Sequence, residues 1–403
     1  MVLFWILVAL VSFGLMIYGL QIVAVRLALS PARNRERHPI LSQSCPPISV
    51  IKPLKGLEDN LFGNLESFCL QDYPDYEVIF SLQDENDPAY KVVRKVKEKF
   101  PDKPISIVVE RCHHGFNPKV NNLLSAYRHS RYSMILISDS NVMVDPHYLR
   151  TIVKPMDDPE VGLVCNLIKG VGGKTIGSIF ENLHLNSFIL GNICFLDKYL
   201  RIPCVVGKSM LMRKSDLEAV GGLASVKDVL AEDHFIGEKI RGQKQKVVIS
   251  NYLIHNVNEY WNLRKFINRH VRWGKMRWKI GGMRYLLELT INPVFIACLP
   301  LLLLGPTEKS LFVLALVCLI KILGDFYLGR SISTPTHPLL YLLSPIKDIL
   351  MGVLWFVPLT DDTVVWRGNR YVMGKDTRLS RCPERKAVWK TRIVDGIKAK
   401  IAW

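Results

Sequence analysis

The chain has 403 residues, a formal net charge of +17 and a hydrophobic content of 49%. With a mean hydropathy of +0.16, it is too apolar to be a purely soluble protein, so membrane segments are expected. The nine cysteines form no Cys-x-x-Cys pair, which argues against a structural zinc site or a disulfide framework and fits a reducing compartment.

The first predicted element is a transmembrane helix, assigned to residues 1–28. Residues 2–25 carry no charge, and this length is sufficient to span ~30 Å of hydrocarbon. The stretch is too long for the core of a signal peptide, and no small-residue cleavage site follows it. Four arginines come next, at positions 26, 33, 35 and 37. The positive-inside rule therefore predicts that the following domain lies in the cytoplasm.

Residues 29–260 are predicted to form an α/β domain. Short β-branched runs alternate with amphipathic stretches, which predicts strands at 48–51, 78–82, 105–109 and 134–137 and helices at 60–70, 87–100 and 119–131. This alternation predicts a mostly parallel sheet, with ligands beyond the carboxyl ends of the strands.

Two carboxylates follow predicted strands in that position, Asp84 and Asp139. Carboxylates at strand ends are suited to holding a base or ribose hydroxyl, or a hard divalent cation shared with phosphate oxygens. Ordinary turn chemistry explains either one alone about equally well, because Asp is favoured in loops.

Two further stretches offer polar groups for a site. The turn at 115–122 opens a helix and presents Lys119, a plausible contact for a diphosphate at a helix N-terminus. Glu232 and Asp233 begin another predicted helix, which extends through Arg241. Stabilisation of the helix dipole accounts for this acidic pair, but a carboxylate in a partly dehydrated cleft is also suited to act as a general base.

Residues 261–284 are predicted to form a basic aromatic helix, in which seven cationic side chains between positions 264 and 279 are interleaved with aromatic and aliphatic ones. This composition is typical of a helix at a membrane surface. Since the basic residues of the chain concentrate beside apolar segments, anionic lipid headgroups are the expected partner of the net positive charge, and nucleic acid is not.

A membrane region of two or three helices is predicted at 285–360, with apolar runs at 286–304, 311–328 and 339–359. Three spans after the N-terminal one would place the basic tail, 361–403, outside, whereas its many arginines and lysines favour the cytoplasm. We therefore expect one run to be re-entrant or interfacial. The candidates are the first, with Pro293 and Pro300, and the third, with Lys347 and Asp348.

The ordered set of motifs resembles membrane-bound inverting glycosyltransferases that use nucleotide sugars, and most closely the ceramide glucosyltransferase family. The resemblance covers most of the chain from Lys52 to Tyr371. It rests on these motifs: Lys52-Pro53-Leu54-Lys55-Gly56, Asn64-Leu65-Glu66-Ser67-Phe68, Asp72-Tyr73-Pro74, Gln83-Asp84 with Asp87-Pro88, Asn117-Pro118-Lys119 with Asn121-Asn122, Asp139-Ser140, Cys204-Val205 with Gly207, Glu232-Asp233, Arg269-x-x-Arg272-Trp273, and Trp366-Arg367-Gly368 with Arg370-Tyr371.

The resemblance implies a GT-A-like nucleotide-sugar domain and a role for each matching residue. Asp84 would hold the uridine, Asp139 would be the metal-linked carboxylate of an Asp-x-Asp type motif, and Asp233 would be the catalytic base. The segment with Arg269, Arg272 and Trp273 would close over the diphosphate. The residues assigned to the UDP-sugar are Pro53, Lys55, Asp84, Lys119 and Asp139. One departure from the family pattern is Asn141 at the second acidic position of the motif.

The implied activity is transfer of a sugar, glucose from UDP-glucose with Mg²⁺ or Mn²⁺, to the hydroxyl of a membrane lipid, ceramide. The enzyme would be an integral membrane protein of the bacterial inner membrane or of the Golgi or endoplasmic reticulum. The same chemistry on diacylglycerol, a hopanoid lipid or polyprenyl phosphate with another UDP-sugar stays open. So does a non-catalytic membrane protein that binds nucleotide sugars.

Overall fold

The computed structural model describes residues 1–30, 45–366 and 368–382. Its centre is a twisted sheet that contains eight strands within this described part. These are β1 (Ile48–Pro53), β2 (Tyr76–Leu82), β3 (Ile105–Val109), β4 (Met134–Ser138), β5 (Val142–Met143), β6 (Val161–Val171), β7 (Ser209–Arg213) and β8 (Lys246–Val257).

The first half of the sheet is built from parallel strands joined by helices. β1 pairs in parallel with β2 and β4, and β2 pairs in parallel with β3. Every residue of β1, β2 and β4 is buried, as expected for parallel strands covered on both faces. Helix α1 (Val2–Ala28) precedes the sheet. The helices that connect the strands are α2 (Leu61–Cys69), α3 (Pro88–Lys99) and α4 (Pro118–His129).

The direction of the sheet changes between β4 and β7. The strand order is β3-β2-β1-β4-β7-β6-β8-β5, and β7 runs antiparallel to both of its neighbours. β6 and β8 are parallel, so four of the seven pairings among these described strands are parallel. The predicted α/β class with a mostly parallel sheet is confirmed. The change of direction places the carboxyl end of β4 beside the start of β7, and ligands of α/β sheets bind at such a switch point.

The remaining helices of the described chain come after β5. They are α5 (Tyr148–Val153), α6 (Ile176–His184), α7 (Leu190–Phe195), α8 (Lys214–Ala219), α9 (Glu232–Gly242), α10 (Leu263–Gly281), α11 (Pro293–Leu304), α12 (Glu308–Ser331) and α13 (Ser344–Leu354). A small antiparallel sheet follows, made of β9 (Thr363–Trp366), β10 (Asn369–Met373) and β11 (Leu379–Arg381).

Three helical segments of the described chain are long and apolar enough to cross a membrane: Val2–Ala28, Glu308–Ser331 and Pro338–Leu359. The run predicted at 286–304 differs from these, because the chain bends by 75° between Leu263–Ile291 and Pro293–Leu304. Asn292 lies at the bend, and its side chain accepts a hydrogen bond from the Phe295 backbone N–H. α11 has 12 residues, roughly 18 Å of helix, which is too short to span a bilayer alone. A re-entrant path for this run stays a prediction.

The charged residues that interrupt the apolar runs face one another inside the protein. Asp325 accepts a hydrogen bond from the Tyr18 hydroxyl at 2.7 Å and pairs with Lys321. Lys321 also lies 3.4 Å from Asp348, which pairs with Lys347 at 2.6 Å. These contacts join α1, α12 and α13 and keep charge away from the apolar outer faces, as expected for ionisable residues at membrane depth.

Two predictions extend into stretches that the structure does not describe. Arg33, Arg35 and Arg37, the arginines that oriented the first span, lie outside the described residues. The same holds for Arg367 of the Trp366-Arg367-Gly368 motif and for residues 383–403 of the basic tail.

Candidate active site

The site lies where β4 ends and β7 begins. Asp139 directly follows β4, and Lys208 directly precedes β7. Since Ser138 pairs with Ser209 in the antiparallel ladder, Asp139 lies opposite Lys208. The Asp139 backbone N–H accordingly donates to the Lys208 carbonyl at 3.1 Å. The predicted strand-end position of Asp139 is confirmed.

Both carboxylate oxygens of Asp139 contact an ammonium group. Oδ1 lies 2.9 Å from Lys119 Nζ, and Oδ2 lies 3.0 Å from Lys208 Nζ. A third lysine, the fully buried Lys52 of β1, donates to the Asp139 backbone carbonyl at 2.7 Å. Burial acts to raise the pKa of Asp139, but Lys119 and Lys208 outweigh it and hold that pKa well below its usual range. Asp139 is therefore ionised.

Lys119 reaches this position because a capped helix begins there. The Asn117 side chain accepts hydrogen bonds from the backbone N–H groups of Lys119 and Val120, a standard N-cap that fixes the first turn of α4. Lys119 Nζ then spans Asp139 and Glu232 Oε1, at 2.9 Å from each. Burial acts to lower the pKa of Lys119, but the surrounding carboxylates outweigh it and raise that pKa well above its usual range.

Asp233 stands at the start of α9 with its carboxylate fixed at both oxygens. Oδ2 accepts a hydrogen bond from the Gly207 N–H at 2.6 Å, and Oδ1 accepts one from the His234 N–H at 2.8 Å. Burial raises the pKa of Asp233, the charge of Asp139 adds to the rise, and Lys119 opposes it. The bond to Gly207 crosses from α9 to the turn before β7, which helix capping does not require.

The segment with Arg269 lies partly inside the protein. Arg269 is 7% exposed, and its Nη1 lies 3.2 Å from Oε1 of the buried Glu181. Its guanidinium lies over the rings of Trp261 and Trp273, at 5.0 and 4.2 Å from their centroids. His270 contacts the other oxygen of Glu181 at 2.8 Å. This stretch is a helix, as predicted, and its Arg269 and His270 side chains are buried in the protein.

The Arg269 charge acts on the strand-end cluster. Burial lowers the pKa of Lys208, and Arg269 lowers it further, while Asp139 opposes both. The structure thus brings Asp139, Lys119 and Asp233 together, with Arg269 close enough for its charge to act on Lys208. Arg272, one turn of α10 beyond the Arg269 region, is partly exposed.

Three residues predicted to bind the donor lie in or after the strands β1 and β2. Asp84 is exposed, and its Oδ1 accepts hydrogen bonds from the backbone N–H and the side-chain amide of Asn86, at 2.8 and 2.9 Å. Pro53 is buried at the end of β1, and Lys55 is exposed in the turn that follows. A role for these three in binding the donor stays a prediction.

The oxygen atoms around Asp139 do not fit a divalent cation. Both carboxylate oxygens contact ammonium groups, and the amide oxygen of Asn141 accepts a hydrogen bond from Lys208 at 2.8 Å. In the described part of the chain, no three His, Cys, Asp or Glu side chains are grouped so that they could hold a metal ion. The arrangement therefore does not support Asp139 as a metal ligand.

Sequence reasoning assigned no role to Lys208, Lys52 or Glu181, and it considered Glu232 only with Asp233 at the start of a helix. Lys208 has a weak local signal, a glycine turn just before a short strand. Its pairing with Asp139 requires β7 to lie beside β4. The paired residues Ser138 and Ser209 are 71 positions apart in the sequence, and no local pattern reveals such a pairing.

Comparison with known proteins gives consistent family matches. The model of glycosyl transferase family 21 matches residues 4–379. Ceramide glucosyltransferase 1 of Caenorhabditis elegans is 33% identical over 238 residues, which cover 58% of this chain and 50% of the relative. The ceramide glucosyltransferase of Gibberella zeae is 34% identical over 312 residues, covering 62% and 56%. The chain thus spans about half the length of these curated relatives.

Among solved structures, the mannosyltransferase PcManGT from Pyrobaculum calidifontis in complex with GDP-Man and Mn²⁺ aligns with a TM-score of 0.46. It is 16% identical, and the alignment covers 87% of this chain and 97% of that one. S. aureus TarS in complex with UDP-GlcNAc aligns with a TM-score of 0.39 and 14% identity, covering 83% and 99%.

Proposed function

The chain belongs to glycosyl transferase family 21, and from this premise we propose that it transfers a sugar from a nucleoside diphosphate to the hydroxyl of a membrane lipid. The leading pair of substrates is UDP-glucose and ceramide. The observation that carries the proposal is the Asp233 carboxylate, which is fixed by Gly207 and His234 beside the lysines that surround Asp139.

Asp233 is the general base of this reaction. Its two oxygens are oriented by backbone N–H groups, and each oxygen keeps a lone pair for a further contact. Its raised pKa makes it a stronger proton acceptor than an exposed aspartate. In the proposed step it takes the proton of the acceptor hydroxyl. The hydroxyl oxygen attacks the anomeric carbon opposite the diphosphate, so one displacement inverts that carbon.

The departing diphosphate needs positive charge close by, because negative charge grows on its bridging oxygen as the bond breaks. Lys119 and Arg269 supply it from two elements, α4 and α10. Lys119 is held by carboxylates on two sides, and Arg269 is held by Glu181 and two indole rings. Preorganised charges in a water-poor site stabilise such a transition state without reorganising during the reaction.

A membrane-bound acceptor fits the surface beyond α10. The segment Gly282–Ile291 exposes large apolar side chains, among them Met283 at 71% and Leu287 at 67%. Outward-facing apolar residues of α1 and α12, such as Trp5 and Phe312, are also well exposed. Apolar surface of this extent indicates contact with lipid. Since removing a lipid chain from the bilayer costs ~0.8 kcal/mol per CH₂, the base must work at the membrane surface. The arginines that follow α1 favour the cytoplasmic side for that surface.

The test is mass spectrometry of products made by the full chain in vesicles from a panel of UDP-sugars and lipid acceptors. The panel includes ceramide, diacylglycerol, a hopanoid lipid and polyprenyl phosphate. We expect monohexosylceramide from UDP-glucose, with release of UDP. A new product with another pair would keep the chemistry and replace the substrates. Binding of UDP-sugars without UDP release or a glycolipid for any pair would contradict the proposal.

Arg272→Ala separates catalysis from anchoring at α10. We expect a loss of turnover with unchanged binding to vesicles, because the segment acts on the diphosphate. Normal turnover with weaker vesicle binding would reduce this part of α10 to an anchor. Arg264→Ala, at an exposed position at the start of the same helix, is the control for removal of a positive charge.

A further inference from the structure

Lys208 occupies the position between the two polar residues of the Asp139-Ser140-Asn141 motif. Its Nζ lies 3.0 Å from Asp139 Oδ2 and donates to Asn141 Oδ1 at 2.8 Å. A divalent cation held by this motif would draw on the oxygens of the same two residues. One ammonium group therefore already provides the positive charge that such a cation would bring.

The backbone holds Lys208 in this place. Its carbonyl accepts the hydrogen bond of the Asp139 N–H, and the next residue, Ser209, begins β7 opposite Ser138. On the other side, the Gly207 N–H donates to Asp233. The Lys208 side chain is 14% exposed. The ammonium position is thus part of the folded site and does not depend on a flexible surface side chain.

An ammonium group and a divalent cation at these oxygens would repel each other. Ligands of Mg²⁺ lie ~2.1 Å from the metal, so an ion held by Asp139 and Asn141 would stand close to the Lys208 ammonium, which contacts both residues. The charge of Arg269 also acts on Lys208, so a cation entering here would meet three positive groups. Asn141 supplies no second negative charge to offset them.

We propose, on the basis of the proposed function, that Lys208 replaces the divalent cation and is a catalytic residue that contacts the diphosphate of the donor. As the bond from the anomeric carbon to the diphosphate oxygen breaks, its electron pair goes to that oxygen, whose charge Lys208 and Lys119 stabilise. The acceptor oxygen forms the new bond to the anomeric carbon, and its proton goes to Asp233. Asp139 holds the two lysines in place, and transfer needs no metal.

Two measurements on the wild-type chain test this directly. Initial rates of UDP release with ceramide are compared with EDTA and with Mn²⁺, and binding of Mn²⁺ to the chain with UDP-glucose present is followed by electron paramagnetic resonance. We expect equal rates in both conditions and no bound Mn²⁺. Loss of transfer in EDTA with recovery in Mn²⁺, or one Mn²⁺ bound per chain, would overturn the proposal.

The variant Lys208→Met then tests whether Lys208 is the group that replaces the divalent cation. We expect the rate in EDTA to fall at least about a hundredfold, in the range found when one transition-state donor is removed, with Lys208→Arg keeping more activity. Lys198→Met, at an exposed position, should match the wild type. A rate for Lys208→Met equal to that of Lys198→Met would contradict the assignment.

If the proposed function is wrong, the two measurements give a different set of results. In that case the wild type forms no glycolipid from any pair of substrates, with or without metal, while the paramagnetic resonance measurement still reports whether Mn²⁺ binds. The charge-replacement proposal is then decided by that measurement alone: one bound Mn²⁺ per chain overturns it, and its absence leaves Lys208 as the group that holds this position.

Discussion

Asp233→Asn removes the proposed base and changes the side-chain volume very little. The carboxylate accepts one hydrogen bond at each oxygen, from Gly207 and from His234. An asparagine has a single oxygen, so its NH₂ group must face one of these two N–H donors. The variant therefore loses proton acceptance and one backbone hydrogen bond at the same time.

The two losses have different sizes. A positioned base contributes about 10²–10⁴-fold to rate, so turnover should fall at least a hundredfold. An unsatisfied buried donor costs about 1–3 kcal/mol of unfolding free energy. Removal of a negative charge beside Asp139 and Glu232 offsets part of this cost. The variant should thus remain folded while it loses activity.

The assay is the initial rate of UDP release from UDP-glucose with ceramide in vesicles, with circular dichroism to check folding. Glu238→Gln, an exposed carboxylate on the same helix α9, is the matched control and should behave as the wild type. In the wild type the acid limb of the rate should rise with pH through the raised pKa of Asp233, above the ~3.9 of a free aspartate. A folded Asp233→Asn chain within about tenfold of the wild-type rate would refute the base assignment.

Three further changes probe the surroundings. Gly207→Ala would place a Cβ 2.6 Å from Asp233 Oδ2; the displaced carboxylate should lower kcat about a hundredfold in a chain of unchanged circular dichroism. Arg269→Ala leaves the buried Glu181 without its guanidinium and should lower the free energy of unfolding by about 3–5 kcal/mol, measured by denaturation in detergent. Burial acts to raise the pKa of Glu181, but Arg269 and His270 outweigh it and lower that pKa, so its stabilising contribution is present above ~4.3 and is lost as pH falls through the folded pKa. Glu181→Gln should remove this acid-dependent part of the stability.

Controls distinguish these effects from general damage. Gly242→Ala, where an added Cβ meets nothing within 4 Å, should leave kcat unchanged, and equal rates for the two glycine variants would contradict the positioning argument. Arg269→Lys keeps the charge and should lose less stability than Arg269→Ala. An acid-stability profile of Glu181→Gln parallel to that of the wild type would contradict the pH argument.

Local patterns located most elements of the sheet and its first helices. The strand at 105–109 has the predicted bounds, and the helix at 60–70 forms as Leu61–Cys69. The strand is a β-branched run, and the helix buries the apolar residues Leu61, Leu65 and Phe68 on one face. The positions of Lys119 and Asp139 followed from the same signals, because a capped helix start and a strand end are local features.

Contacts between distant segments could not be predicted from the sequence. Lys208 faces Asp139 only because β7 inserts antiparallel beside β4. Arg269 has the composition of an interfacial helix around it, yet it is buried against Glu181, 88 residues earlier. The turn role of Asp84 was considered from the sequence, and its bonds to Asn86 are of that kind.

The stereochemistry of the product tests the central claim most directly. UDP-glucose carries its sugar in the α configuration, so a single displacement assisted by Asp233 gives a β-linked glucosyl lipid. The anomeric coupling of the purified product from UDP-glucose and ceramide is measured by proton NMR. We predict a β linkage that is absent when Asp233→Asn is used. An α-linked product, or the β-linked product formed by Asp233→Asn at the wild-type rate, would contradict the account.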